Sequence, residues 1–80
     1  MKAMDLTQMK VGQVGTVVEI QGGHGLSIRL QVLGIRVGVK VIKVSSQIMR
    51  GPVTVQIGNS RVAIGFGMAR KIIARVRGIG

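Results

Sequence analysis

The chain has no cysteine, tryptophan or tyrosine, one proline (Pro52), one phenylalanine (Phe66) and only two carboxylates, Asp5 and Glu19, among 80 residues. Without cysteine there is no disulfide, thiolate zinc site or thiol nucleophile, so thiol redox chemistry and zinc-finger architectures are excluded. One histidine, His24, and two carboxylates far apart in sequence do not supply the paired titratable groups that general acid–base catalysis needs. The residue types give no sign of an enzyme. No apolar run approaches the roughly 18 residues of a membrane span, and the start Met1-Lys2-Ala3-Met4-Asp5 lacks the hydrophobic segment of a signal peptide. A soluble, cytoplasmic chain without membrane insertion is the expectation.

What is abundant is β-branched and small. Valine and isoleucine total 23 residues against four leucines, and there are 13 glycines. β-Branched side chains fit a pleated surface, and scattered glycines permit the tight turns that short strands need. A mass of 8.5 kDa sets one small domain, residues 1–80. Twelve lysines and arginines face the two carboxylates, a net charge of +10. Such a field attracts anything acidic, whether nucleic acid, anionic membrane or an acidic protein face, and charge alone does not choose among them.

Asp5 can cap a single helical turn over Leu6 to Met9. Residues 12–20 read as a strand with Val14, Val18 and Ile20 on one face and Val17 on the other. Gln21-Gly22-Gly23-His24-Gly25 is a breaker cluster that marks a loop. After it, Leu26, Leu30 and Leu33 fall at helical spacing beside a second stripe of Ile28, Val32 and Ile35, although Leu26, Ile28, Leu30 and Val32 also alternate as a strand would. Unbranched leucine, Arg29 and Gln31 favour helix, with Gly34 at the left-handed position past its end. Val39 to Val44 returns to a β pattern, followed by a polar break at Ser45-Ser46-Gln47 and turn chemistry at Arg50-Gly51-Pro52. Val53 to Ile57 alternates strictly and should pair across Gly58-Asn59-Ser60 with Arg61 to Ile64. Gly65 to Ala69 is a short loop or one helical turn. Ile72, Ala74 and Val76 then share a strand face opposite Lys71, Ile73, Arg75 and Arg77, and Gly78-Ile79-Gly80 is expected to fray. About five strands and one inserted short helix predict a mainly β fold, a small, partly open antiparallel barrel.

The candidate chemistry is sparse. His24 and Glu19 are weak metal candidates, because three or four ligands cannot be assembled from one chain without carbonyls, water or a second chain. The Gly22 to Gly25 segment resembles a phosphate cradle at a helix start but lacks the residues of a nucleotide-binding loop, so a tight turn launching the helix is the simpler reading. Met4, Met9, Met49 and Met68 are unclustered, which suits core filling better than thioether ligation, least so for Met49 ahead of a turn. Arg70, Lys71, Arg75 and Arg77 could neutralise phosphates, but no aromatic residues are interleaved for stacking.

The ordered pieces Gly12-Gln13-Val14-Gly15-Thr16-Val17-Val18, Gly22-Gly23-His24-Gly25, Arg29-Leu30 to Leu33-Gly34-Ile35 with Gly38, Gly51-Pro52-Val53, and Arg61-Val62-Ala63-Ile64 to Met68-Ala69 together resemble the ferrous iron transport protein A (FeoA) family. The resemblance covers roughly residues 5–76. It implies an SH3-like barrel with a helix in the ambiguous segment. It also implies a cytoplasmic accessory role beside the membrane transporter, ferrous iron transport protein B, by contact with that protein's cytosolic GTP-binding portion. Iron is the transition metal ion such a role implies. The chain is more basic than many members. On this reading it is a non-catalytic adaptor whose partner-binding residues are Gly22, Gly23, His24, Gly25, Arg29 and Arg36, with a homo-oligomer left open. A basic nucleic-acid-binding small barrel is the alternative.

Overall fold

Short runs of valine and isoleucine, each closed by glycine or a polar turn, form the frame. Residues 2–46 and 49–77 are described by the computed structural model. The elements in chain order are β1 (Lys2–Asp5), β2 (Val14–Ile20), α1 (Gly23–Val32), β3 (Lys40–Ser46), β4 (Val53–Ile57), β5 (Ser60–Ile64), α2 (Phe66–Ala69) and β6 (Ile72–Val76). The strands make one open sheet in the order β1-β6-β2-β3-β4-β5, with every pairing antiparallel. Val17, Val41, Val55, Ile64, Ile72 and Ala74 from five strands join Leu30 of α1 and Ala69 of α2 in one buried cluster. A single cluster reaching from β5 to β6 requires the sheet to curl around it. Irregular register between Val17 and Glu19 and between Lys43 and Ser45 supplies bends of the kind that curvature needs.

The β4–β5 hairpin matches the alternation in sequence, pairing Val53 with Ile64 and Ile57 with Ser60 around Gly58-Asn59. Ile72, Ala74 and Val76 point inward. Gly65 to Ala69 contains the expected single helical turn, α2. Four readings change. There are six strands, because Lys2–Asp5 pairs with β6 from Lys2↔Val76 to Asp5↔Ile73. On β2 it is Val17 that is buried and Val14 that is exposed, and the bulge after Val17 shifts the phase so that Ile20 still reaches the core. Ser45 and Ser46 continue β3 rather than breaking it. Gly23-His24-Gly25 forms the first turn of α1 instead of a loop. The expected break at Gln47 and the fraying of Gly78-Ile79-Gly80 fall outside the described residues.

Asp5 does cap the turn over residues 6–9. Its carboxylate accepts from the Thr7 amide at 2.8 Å and from the Thr7 hydroxyl, while the Gln8 side chain accepts from the Asp5 amide at 3.0 Å. With the Gln8 amide donating to Asp5 O at 3.0 Å, these bonds hold residues 5–8 in one hydrogen-bonded turn.

At the other end of α1, the Gly34 amide donates to Gln31 O and the Ile35 amide to Leu30 O, each at 2.9 Å, with Gly34 at φ 88°. These two bonds satisfy carbonyls that any helix end leaves open, and the buried pair Leu30 and Ile35 seals the turn. Gly34→Ala is therefore expected to cost about 1 kcal/mol, since an L side chain is disfavoured at that φ. The corresponding fall in thermal midpoint is about 4–8 °C for a domain of this size, readable by circular dichroism.

Candidate docking surface

The helix α1 is apolar on more than the side it buries. Leu30 is its only fully buried residue and Leu26 packs against the core, yet Ile28 is 48%, Leu33 39% and Val32 83% exposed. Val37, past the helix end, is exposed as well. An ordinary surface helix turns polar residues to solvent, so an apolar outer flank marks a surface that something else covers. Arg29, Leu30, Val32 and Leu33 face Met68 of α2 across an open groove of about 300 Å³. Arg29 lines that groove, and Arg36 lies exposed two residues beyond Gly34.

The glycines fall elsewhere on the helix. Gly22 is its N-cap at φ 117°, a conformation L side chains rarely adopt, and a Cβ there would stand 2.8 Å from Leu26 Cδ2 and 3.1 Å from Lys71 Cδ. Gly22 thus serves close approach between the helix start and Lys71, whose carbonyl accepts from the Gln21 amide at 2.7 Å. Gly23, His24 and Gly25 are exposed. Arg29 lies six residues beyond Gly23, about 9 Å along the axis, and none of the glycines lines the groove. The six residues expected to form one surface therefore occupy the start, the flank and the far end of one helical segment.

Lys71 also departs from the expected basic face of β6. It precedes that strand and sits over Gly22, leaving Arg75 and Arg77 without it. His24 in the first helical turn and Glu19 on β2 are both exposed, and among the described residues no three His, Cys, Asp or Glu side chains gather as a metal site would require. A cation held by His24 or Glu19 would need further ligands from carbonyls, water or a second chain. Of the methionines, Met9 is buried, Met4 and Met68 pack on the core, and Met49 is exposed.

Lys43 was not among the sequence candidates. It is 3% exposed on β3, and its ammonium donates to Met9 O at 2.6 Å and Thr7 O at 3.1 Å. Burial holds its pKa below the usual lysine value of 10.5, partly opposed by the charge of Asp5. The ammonium thus satisfies carbonyls at the end of the turn that Asp5 begins. The inward phase of Val41 and residue 43 was a usable signal for its burial, but the charge on lysine argued against it.

An open, curled six-stranded antiparallel sheet with a helix inserted between its second and third strands is an SH3-like β domain, and no helix among the described residues is long and apolar enough to cross a membrane. Residues 4–76 match the family model of the FeoA domain. An Fe(2+) transport protein A from Methanocaldococcus jannaschii is 38% identical over 64 residues, covering 80% of this chain and 76% of its own length. The crystal structure of an iron uptake regulatory protein, FeoA, superposes with a TM-score of 0.87 at 31% identity, over 96% of this chain and 100% of that one. A manganese-dependent transcriptional repressor shares the fold at 22% identity and a TM-score of 0.82, over 94% of this chain and 42% of its own. The chain belongs to the FeoA family, a family of Fe(2+) transport.

Proposed function

We propose that this chain is a cytoplasmic, non-catalytic accessory of ferrous iron uptake that docks on the cytosolic GTP-binding portion of the membrane ferrous iron transporter. The observation that carries the reading is the exposed apolar flank of α1, Ile28, Val32 and Leu33, where Arg29, Val32 and Leu33 open into the groove against Met68 and Arg36 is exposed beyond the helix end. Apolar side chains supply the area a protein partner can bury, and the arginines steer the approach of an acidic rim and fix its orientation. The exposed glycines at the helix start let a partner backbone come close, extending the contact along the segment. Family membership supports the iron-transport context.

Titration calorimetry against the isolated cytosolic portion of the transporter tests this. Val32→Asp, which places a charge on a residue with little part in the fold, is expected to weaken binding at least tenfold, and Arg29→Glu with Arg36→Glu by about tenfold. Unchanged affinity in both variants overturns the assignment of the surface.

A further inference from the structure

The outward face of the sheet carries a second feature that shares no residue with the α1 flank. Thr16 on β2 stands in register between Lys40 on β3 and Arg75 on β6. All three are exposed. With Gln13, Val14 and Arg77 they line a cavity of about 600 Å³. An adjoining recess of about 90 Å³ shares Gln13, Val76 and Arg77 and adds Lys2 and Lys10. The lining therefore carries five cations and no carboxylate. The short Thr16 side chain stands at its centre, with the long cationic side chains of Lys40 and Arg75 on the neighbouring strands to either side. Neither Asp5 nor Glu19 lines the trough, so its cations face no carboxylate within it.

We propose that this trough binds an extended acidic peptide segment of a partner protein. In an extended chain, alternate side chains repeat at about 6.6 Å on one side. Arg75 on β6 and Arg77, one residue past its end, are themselves two residues apart, and both are exposed on the cavity lining, a spacing that suits this repeat. An arginine fork pairs with a carboxylate through two parallel hydrogen bonds, so two alternate acidic side chains fit this wall. Lys40 stands two strands across from Arg75, about 10 Å away, and receives a carboxylate from the other side of the peptide. A single-stranded nucleic acid would draw on aromatic platforms, and the lining has none; Phe66 lies on α2 with the Arg50 guanidinium 5.9 Å from its ring. A bilayer surface is broad and flat, and a trough with its shortest side chains at the centre offers such a surface only the rims.

Fluorescence anisotropy of the full chain with a labelled oligoglutamate of roughly ten residues, long enough to span the trough, provides the test. The comparators are a labelled oligothymidylate of similar length and vesicles containing phosphatidylserine. Oligoglutamate is expected to bind more tightly than either comparator, with affinity falling as salt rises. Arg75→Glu with Arg77→Glu should weaken it at least about tenfold, and Arg75→Gln with Arg77→Gln should weaken it less while leaving the circular dichroism unchanged. Arg61→Glu with Arg70→Glu changes the net charge equally outside the trough and should weaken it no more than about twofold. Equal losses in the two reversed pairs, preference for the oligothymidylate or the vesicles, or no binding of oligoglutamate would each overturn the proposal.

Discussion

Leu30→Ala is expected to lower stability by about 3 kcal/mol and to release α1 from the sheet, the largest effect of any single truncation on that helix. Leu30 is fully buried, the only residue of α1 that is, and its carbonyl also receives the Leu33 and Ile35 amides that close the helix end. Removing its side chain opens a cavity and loosens the pair it forms with Ile35 at that closure. Domains of this kind are typically stable by about 5–15 kcal/mol, so the loss takes a large share. Val32→Ala, at 83% exposure, should change stability by less than about 0.5 kcal/mol. Urea unfolding followed by circular dichroism measures both. A Leu30→Ala cost below about 1 kcal/mol would show that the helix is held by something other than this anchor.

Lys43→Met is expected to destabilise the chain by about 1–3 kcal/mol, because Thr7 O and Met9 O lose their ammonium donor while the apolar stem is kept. The effect has a pH signature of definite sign. The folded-state pKa of Lys43 lies below its unfolded value of 10.5, so the unfolded chain binds the proton more tightly. Stability contributed by this residue therefore rises as pH climbs from the folded pKa to 10.5 and is level on either side of that window. The amine still donates hydrogen bonds once deprotonated, so the rise is not offset by lost contacts. Unfolding of wild type and Lys43→Met measured from neutral pH to 10.5 should give a stability difference that widens with pH. A difference that stays level up to pH 10.5 would mean that Asp5, rather than burial, sets the titration of Lys43, because a raised folded pKa moves any loss of stability above 10.5.

Both predictions concern residues whose roles were unequally legible. Leu30 stood out in sequence because leucine is scarce and helically spaced there, and Gly34 marked where the helix must stop. Lys43 did not stand out, since a lysine is ordinarily solvated and the carbonyls that accept its protons lie 34 and 36 residues away. The first strand was missed for the same reason: four residues, Lys2 to Asp5, show no pattern of their own and become a strand only by pairing with β6 at the far end of the chain. The face of β2 was misread because a one-residue bulge reverses side-chain alternation, and no local feature of Val17-Val18-Glu19 announces it.

The candidate surface divides in a similar way. Arg29 and Arg36 were visible as cations near apolar residues, but which apolar side chains remain outside depends on how α1 rolls onto the sheet. Ile28, Val32 and Ile35 form one stripe at helical spacing in the sequence, yet Ile35 alone of the three is buried. The basic trough needed three strands to be placed side by side before Lys40 could meet Arg75 across Thr16.

By itself the sequence determined the β-rich class, the hairpin of β4 and β5, the presence and end of the helix, and the excess of positive charge. All of these follow from local periodicity, turn chemistry and composition. Only the tertiary structure decided the sixth strand, the phase of β2, the burial of Lys43 and the grouping of cations into a trough. Each depends on contacts between residues distant in the chain, whose free energies no local window of sequence contains.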